Sequence, residues 1–381
     1  MGRKKIGLKV YQGEYRVSFG LATNVVVLQK STNRYRSMKQ MMLGLSWFTN
    51  YEAAIRTLSD FGNHVYLRAI PTLAIGVETE ADRNGALKDG TPVFRILIAM
   101  ARLNGLQEVW LWDRQSDLTA KRLWPASLPS PLLDGYSYGG AVVRMRLLAI
   151  VANRDYLVRV DPGCFAPPDF AGLLARHFKL LHSGTIRIAS GRYTGRIALR
   201  THFVNPSRVD EFLDLVAKFT GIDPRKQLTG GAACTFHKLA PPPWVFDKAL
   251  IWASDDGALK NAFPEVVYVD EESQIPRDEP GFSMPLTEYF VRVAGAAGLN
   301  ELVKGKPAKA AMDKSVEFLN AMARLVASDE VNLAEGTEKL GERLPRIEAG
   351  IKLHQTLVKS WPDIIEAVHG MDDLRRTCRI A

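Results

Sequence analysis

The chain has 381 residues, 46% of them hydrophobic and 24% charged, and a formal net charge of +9 at pH 7, which is typical of a folded globular protein with a basic surface. No apolar run reaches the ~18 residues of a membrane helix, and the basic amino terminus lacks the apolar core of a secretory signal. The three cysteines are too few and too widely spaced for a disulfide framework or a zinc knuckle, so we expect a reducing compartment and a cytoplasmic location.

The basic excess lies at the start of the chain. Residues 1–68 hold eleven Lys or Arg against three acidic residues, which accounts for nearly all of the net charge. Charge concentrated in this way is typical of a protein that contacts a polyanion, although a solvated basic surface has the same composition. We therefore predict a basic N-terminal appendage over residues 1–64, with short strands near Tyr15 and Asn24.

One part of this appendage is a candidate nucleic-acid contact. Arg34, Arg36 and Lys39 surround a tyrosine and overlap a segment, 37–58, whose apolar spacing predicts a helix. Cations interleaved with an aromatic ring suit backbone phosphates and stacked bases, but they suit the surface of a domain equally well.

From residue 65 onward, apolar runs of strand length alternate with segments of helical periodicity. Strands are predicted at 73–77, 108–112, 156–160, 184–189, 196–200, 230–237 and 266–269, and helices at 91–103, after Gly139, at 170–181 and at 210–219. Residues 118–138 are rich in Pro, Leu and Ser and are predicted to form a loop. The alternation predicts an α/β domain over residues 65–285, with a mostly parallel sheet flanked by helices.

The last region, residues 286–381, has an almost wholly helical pattern. Apolar residues such as Phe318, Leu319 and Met322 recur near i, i+3 and i+4 spacing. These amphipathic helices are expected to pack on the main domain or on a second subunit, so a dimer through this region is one alternative.

Acidic residues follow three of the predicted strands. Glu78, Asp113 and Asp161 each come directly after a strand, and the carboxyl ends of strands are where α/β sheets bind ligands. Arg144 and Arg146 on the preceding helix make this a suitable place for a phosphate group. The simpler alternative for Asp161 is a turn former, because Pro-Gly follows it and Asp is favoured in turns.

The order of these segments resembles a nucleotide-sugar glycosyltransferase of the GT-A type, closest to the family-2 pattern. The resemblance covers roughly residues 65–275 and rests on four segments: Leu73 to Glu80, Glu108 to Asp117, Gly139 to Cys164, and Gly230-Gly-Ala-Ala with Asp255-Asp256-Gly. The first two resemble the first and second nucleotide-binding strands. The third resembles the helix and strand that deliver the acidic metal motif, and the fourth resembles the acceptor side.

The resemblance implies roles for the donor-side residues. Asp113 would hydrogen-bond the base of the nucleotide, with Glu78 beside it, and Arg144 or Arg146 would face the donor. Asp161 would hold a divalent cation, Mn²⁺ or Mg²⁺, that bridges the diphosphate of a nucleotide sugar.

On the acceptor side, the resemblance implies a strand opened by Gly230 and Gly231 and a catalytic base. Asp255 or Asp256 would take the proton from the acceptor hydroxyl as it attacks the sugar. A solvent-exposed turn or a helix cap is the alternative for this acidic pair.

The chain departs from the family pattern at the metal motif. The family usually has a second acid two residues after the first, whereas this chain has Asp161-Pro162-Gly163, and the late histidine is not evident in 273–281. The cation is then held differently, or is not needed, or the site has lost its activity.

Three functions follow. The first is a sugar transferase that modifies a hydroxymethylated base in DNA, a subtype expected in viruses that modify their own genomes. The second is a transferase acting on a small molecule, glycan or protein. The third is a non-catalytic nucleic-acid-binding protein that retains the fold.

Overall fold

The computed structural model describes residues 8–11, 14–17, 26–29, 41–47, 72–77, 108–132, 138–160, 164–182, 188–193, 204–221, 223–225, 234–237, 266–276, 285–326 and 331–379.

The described strands form two sheets. A three-stranded antiparallel sheet contains β1 (Leu8–Tyr11), β2 (Glu14–Val17) and β3 (Val26–Gln29). An eight-stranded sheet contains β4 (Met41–Trp47), β5 (Thr72–Val77), β6 (Glu108–Trp112), β7 (Tyr156–Val160), β8 (Cys164–Phe165), β9 (Ile188–Tyr193), β10 (Cys234–His237) and β11 (Val266–Pro276). Its order is β6-β5-β4-β7-β10-β9-β11-β8.

The large sheet is parallel in one half and mixed in the other. Strands β6, β5, β4 and β7 run parallel to one another. Strand β10 runs antiparallel to both β7 and β9, β11 is parallel to β9, and β8 is antiparallel to β11. The expected α/β architecture is therefore present, and the mostly parallel arrangement holds only for the half from β6 to β7.

The described helices are α1 (Arg114–Leu123), α2 (Tyr138–Val151), α3 (Phe170–His182), α4 (Val209–Thr220), α5 (Leu286–Val303), α6 (Ala308–Ala323), α7 (Leu333–His369) and α8 (Asp372–Cys378). The helices expected at 170–181, at 210–219 and beyond 286 are confirmed. The loop expected over 118–138 is wrong at its start, because α1 continues to Leu123 and ends only where Trp124 and Pro125 leave the helical conformation.

The sequence-based helix at 37–58 is also wrong for residues 41–47, which form β4. This segment is a short, nearly continuous apolar run, and periodicity alone does not distinguish a buried strand from a helix in such a run. Strand β4 pairs with β5 on one side and β7 on the other, so its backbone hydrogen bonds are made on both sides within the sheet. Part of the segment 1–64, namely residues 41–47, therefore belongs to the large sheet.

The 37-residue helix α7 contributes to three clusters of buried hydrophobic residues in the described part of the chain. Its carboxyl-terminal half contributes Trp361, Ile364 and Val368 to the core beneath α2 and β6. Its amino-terminal half packs with α4, α5 and α6, where Leu340 is buried. The C-terminal helices are thus continuous with the sheet domain, and the packing of this region on the main domain is confirmed.

Helices α5, α6 and α7 approach closely at Gly298. A Cβ at this glycine would lie 2.5 Å from both Leu344 Cδ2 and Ser315 Oγ. Gly298→Ala is therefore expected to lower the free energy of unfolding by about 1–3 kcal/mol through overpacking. Gly341→Ala on the open face of α7 is the matched control, since nothing lies within 4 Å of its new Cβ.

The control should gain about 0.5–1 kcal/mol, because alanine is the better helix former. Urea unfolding curves measure both changes. Shifts of the same sign in the two variants would contradict the close packing of these three helices.

Candidate functional site

The topology brings the ends of several strands to one edge of the large sheet. The four parallel strands end on the same side of the sheet, which we name the carboxyl edge. Their last residues are Trp112 of β6, Val77 of β5, Trp47 of β4 and Val160 of β7. Strand β10 runs the other way, so it begins at this edge with Cys234, which lies opposite Arg159 of β7. Strand β9 ends here at Tyr193, since it is antiparallel to β10.

The strand order reverses between β4 and β7. From β4 the chain proceeds outward to β5 and β6, and then returns across to β7 on the other side, where Leu45 of β4 pairs with Val160. In open α/β sheets the crevice outside the carboxyl ends at such a reversal is where ligands bind. This topology makes the carboxyl edge at β4 and β7 the candidate site.

The strand order also corrects the assignment of strands made from the sequence. The segment starting at Leu73 was expected to be the first nucleotide-binding strand and Glu108–Trp112 the second. In the structure β4 is the first of the parallel set, β5 the second and β6 the third. Glu78 consequently follows the strand next to β4, whereas Asp113 follows the outer strand β6.

Most of the residues predicted from the sequence to form the site lie outside the described residues. These are Glu78, Asp161, Asp255, Asp256, Gly230, Gly231, Arg34, Arg36 and Lys39. The described strands nevertheless fix where two of them leave the sheet: Glu78 is the next residue after Val77, and Asp161 is the next after Val160. The chain therefore departs from β5 and β7 at the carboxyl edge with an acidic residue in each case.

Asp113 lies within the described residues and caps helix α1. Its Oδ1 accepts hydrogen bonds from the backbone N–H of Ser116 at 2.9 Å and from Ser116 Oγ at 3.0 Å. The side chain is 1% exposed. This cap satisfies one of the amide groups that a helix leaves without an intrahelical partner. Its contact with a nucleotide base stays a prediction.

Arg144 makes a buried ion pair with Asp117. The guanidinium donates from Nε at 2.9 Å and from Nη2 at 2.7 Å, and Trp112 Nε1 donates to the same carboxylate at 2.6 Å. Arg144 is 1% and Asp117 6% exposed. The cluster joins β6, α1 and α2 at a point where solvent is excluded. In this geometry the Arg144 side chain pairs with Asp117 inside the protein. The expected contact between Arg144 and a donor stays a prediction.

Arg146 lies on α2 beside His354 of α7. Both side chains are buried, at 3% and 6% exposed. Burial and, as the smaller cause, the charge of the neighbouring Arg146 guanidinium together lower the pKa of His354 from 6.5 to about 4. The imidazole is therefore neutral at pH 7. As with Arg144, a contact between Arg146 and the donor stays a prediction.

The opposite, amino-terminal end of β6 is held by ion pairs. Glu108 accepts a hydrogen bond from Arg154 at 2.7 Å and from Trp110 Nε1 at 3.3 Å, and Arg379 lies 3.5 Å away. Burial alone would raise the pKa of Glu108, but these hydrogen bonds and charges outweigh it and lower the pKa. Structural contacts thus account for the acidic residue at this end of β6. Both tryptophans of the strand, Trp110 and Trp112, are buried in the core.

Sequence reasoning missed Asp117 and His354. The spacing Asp113-x-x-Ser116, with an acid in the first helical turn, is a helix-start signal that would have placed α1. The residues next to His354 in the sequence do not indicate that its pKa is lowered, because the neighbouring charge comes from Arg146 on α2, more than 200 positions away in the chain.

Within the described ranges, no group of three or more His, Cys, Asp or Glu side chains is arranged to hold a metal ion. Among the helices of the same ranges, none has the length and apolar character needed to cross a membrane.

No model of a known protein family matches the chain, and no curated protein matches it either. Several solved structures resemble it at low sequence identity. Glucosyl-3-phosphoglycerate synthase from Mycobacterium tuberculosis is 15% identical with a TM-score of 0.42, covering 73% of this chain and 85% of that one.

Two further structures are similarly distant. S. aureus TarS, residues 1–349 in complex with UDP-GlcNAc, is 13% identical with a TM-score of 0.43 and covers 88% of this chain and 89% of its own. A mannosyltransferase from Pyrobaculum calidifontis, in complex with GDP-Man and Mn²⁺, is 12% identical with a TM-score of 0.40, covering 88% and 85%. Similarities of this size establish no family membership, so the function of this chain is argued from its own residues.

Proposed function

We propose that this chain is a glycosyltransferase that moves a sugar from a nucleoside diphosphate sugar to an acceptor hydroxyl. One observation carries the proposal: the strand order reverses between β4 and β7, and the residue that follows β7 at that reversal is Asp161. A crevice at such a reversal suits a nucleotide, and an acid that directly follows β7 there suits the chemistry of a diphosphate held through a cation.

The donor side of the proposed site draws on two acids that leave the sheet at the carboxyl edge. Glu78 follows β5 and Asp161 follows β7, with β4 between those two strands. Carboxylate oxygens are the ligands preferred by Mg²⁺ and Mn²⁺, so Asp161 fits a hard cation, while Glu78 is proposed to lie beside the nucleotide. When bound, such a cation would neutralise the charge that builds up on the diphosphate leaving group.

The acceptor side is proposed to involve the segments on either side of β10. Gly230 and Gly231 precede β10, which begins at the carboxyl edge, and glycines there permit a close approach of the backbone to a ligand. Asp255 or Asp256, between β10 and β11, would accept the proton from the attacking hydroxyl.

A hydroxymethylated base in DNA is the acceptor we propose. The basic N-terminal excess, with Arg34, Arg36 and Lys39, supports a polyanion as partner. A base in duplex would have to be extruded from the stack to expose its hydroxyl. If the acceptor is instead a small molecule, a glycan or a protein, this chain is not expected to bind DNA in a salt-dependent way. A non-catalytic nucleic-acid-binding protein would need no donor.

Thermal stability in the presence of nucleotides and nucleotide sugars tests the proposal, with and without Mn²⁺. A ligand at a hundred times its dissociation constant stabilises the folded state by about 2.7 kcal/mol, which shifts the melting temperature measurably. We expect one nucleoside diphosphate sugar to give such a shift. No shift with any of them, together with tight and salt-sensitive DNA binding, would favour the non-catalytic alternative.

A further inference from the structure

Helix α7 has a straight line of exposed residues along its outward face. The members of this line recur at spacings of three and four residues, which is the repeat of an α-helix, and every one of them is exposed. We name these nine residues the α7 stripe: Ala334, Glu338, Gly341, Pro345, Ala349, Lys352, Thr356, Lys359 and Asp363. The stripe is about 44 Å long, at about 1.5 Å for each residue of the helix.

The middle of the α7 stripe consists of small side chains. Gly341 and Ala349 lie on either side of Pro345, and a Cβ added at Gly341 would have no atom within 4 Å. Val358, which flanks the stripe, is 40% exposed. The distance between two packed helices depends on the size of the side chains at their contact, so this face permits another helix to approach closely.

The charged members of the α7 stripe are ordered along the helix. Glu338 precedes the small residues, and Lys352 and Lys359 follow them. Lys352 pairs with Glu348 on the same helix at 2.8 Å. Glu338, Lys359 and Asp363 make no ion pair with any residue in the described part of the chain. These three charges are therefore available to a second molecule.

The order of the charges is self-complementary when two copies of α7 lie antiparallel. A two-fold axis between residues 348 and 349 sets Glu338 of one copy opposite Lys359 of the second copy, because the two residues are equally far from the axis along the chain. The symmetry repeats this contact, so the two copies make two opposite-charge pairs. Gly341 then lies opposite Thr356, and Ala349 lies next to the axis.

The end of the α7 stripe is complementary to its beginning. The same axis sets Asp363 of one copy opposite Ala334, in the first turn of α7 in the second copy. The amino terminus of a helix carries partial positive charge, which favours an acidic residue there. A parallel arrangement would instead bring Glu338 against Glu338 and Lys359 against Lys359, and both contacts are repulsive.

We propose that α7 is the interface of a homodimer, in which two α7 stripes pack antiparallel about a two-fold axis between residues 348 and 349. A contact about 44 Å long and about 10 Å wide buries roughly 900 Å² over both copies, which is at the low end for a specific interface. The dimer is therefore weak and forms as the concentration rises. Its charge pairs fix the orientation of the two copies more than they add affinity.

This inference goes beyond the proposed function and does not depend on it, because the α7 stripe contains none of the residues proposed for the transferase site. Its partner is a second copy of the same chain, since the acidic and basic parts of one stripe match each other in reversed order.

Sedimentation velocity at protein concentrations from about 1 to 100 µM tests the interface, a range that suits a dissociation constant in the micromolar region. Wild-type protein is expected to shift from the mass of one chain toward twice that mass. Glu338→Lys sets lysine opposite lysine and should weaken the dimer about tenfold or more. Asp313→Lys reverses an exposed acid on α6 and is the matched control, which should dimerise as the wild type does.

The charge-swap variant Glu338→Lys/Lys359→Glu makes the test specific. It restores an opposite-charge pair with reversed polarity, so it should dimerise like the wild type, whereas a general structural effect of Glu338→Lys would not be rescued. Wild-type protein with the mass of one chain at every concentration would overturn the inference. The same holds if Glu338→Lys dimerises like the wild type, if Asp313→Lys loses as much affinity, or if the swap variant is no better than Glu338→Lys.

Discussion

Replacing Asp117 by alanine is expected to lower the free energy of unfolding by about 3–5 kcal/mol, because it leaves a guanidinium buried without its counter-charge. Arg144 is 1% exposed and donates twice to this carboxylate. Trp112 Nε1 would lose its acceptor at the same time. Urea unfolding followed by circular dichroism measures the change.

Two further variants make this prediction specific. Glu317→Ala breaks an exposed pair with Lys314 on α6, whose side chains are 57% and 37% exposed, and should cost less than about 1 kcal/mol. The double variant Asp117→Leu/Arg144→Met should be more stable than Asp117→Ala, since no buried charge remains. A double variant no more stable than the single one would contradict the claim that the stranded charge causes the loss.

His354 is expected to make the protein lose stability as the pH falls below neutral. Its pKa is lowered from 6.5 to about 4 in the folded state, so the unfolded chain binds the proton more tightly. The folded state is therefore favoured above pH 6.5, and that contribution declines as the pH falls toward 4. The full loss is about 3 kcal/mol, at about 1.4 kcal/mol for each pH unit.

His354→Leu isolates this effect, because leucine buries without a titrating group. The difference in stability between wild type and variant should fall steadily from pH 7 to pH 5, a range in which ordinary carboxylates stay ionised. Glu108 and Glu288, whose pKa values are lowered, stay ionised there as well. A difference that does not change between pH 7 and pH 5 would show that His354 is not held neutral by burial beside Arg146.

The sequence predicted the helices well where their apolar faces are long and regular. Helices α4 and α6 have repeating apolar residues that are buried in one core, such as Phe212, Val216 and Phe318. Periodicity over several turns reports the buried face of a helix directly. The expected C-terminal helical region followed from the same signal.

The central strand was missed for a physical reason. Strand β4 has neighbours on both sides, so it lacks the alternation of a half-exposed strand, and its apolar run fits helix spacing equally well. This error shifted the numbering of the strands, so the residues beside β4 were not considered as part of the candidate site.

The roles of Asp113, Arg144 and Arg146 could not be inferred from sequence position alone. A carboxylate after a strand can face a ligand or cap the next helix, and the contacts of Asp113 with Ser116, which show the cap, are visible only in the structure. Likewise, an arginine on α2 can face outward or pair inward, and the partner of Arg144 is 27 residues away at Asp117.

The central claim is that a nucleoside diphosphate sugar binds at the carboxyl edge where the strand order reverses. Strand β7 offers a matched pair of carboxylates for testing it, since Asp155 precedes the strand and Asp161 follows it. Calorimetric titration of the stabilising nucleotide sugar, in the presence of Mn²⁺, should show binding weakened about tenfold or more in Asp161→Asn and unchanged in Asp155→Asn. Equal affinity in both variants and the wild type, or a loss confined to Asp155→Asn, would contradict a donor site at this edge.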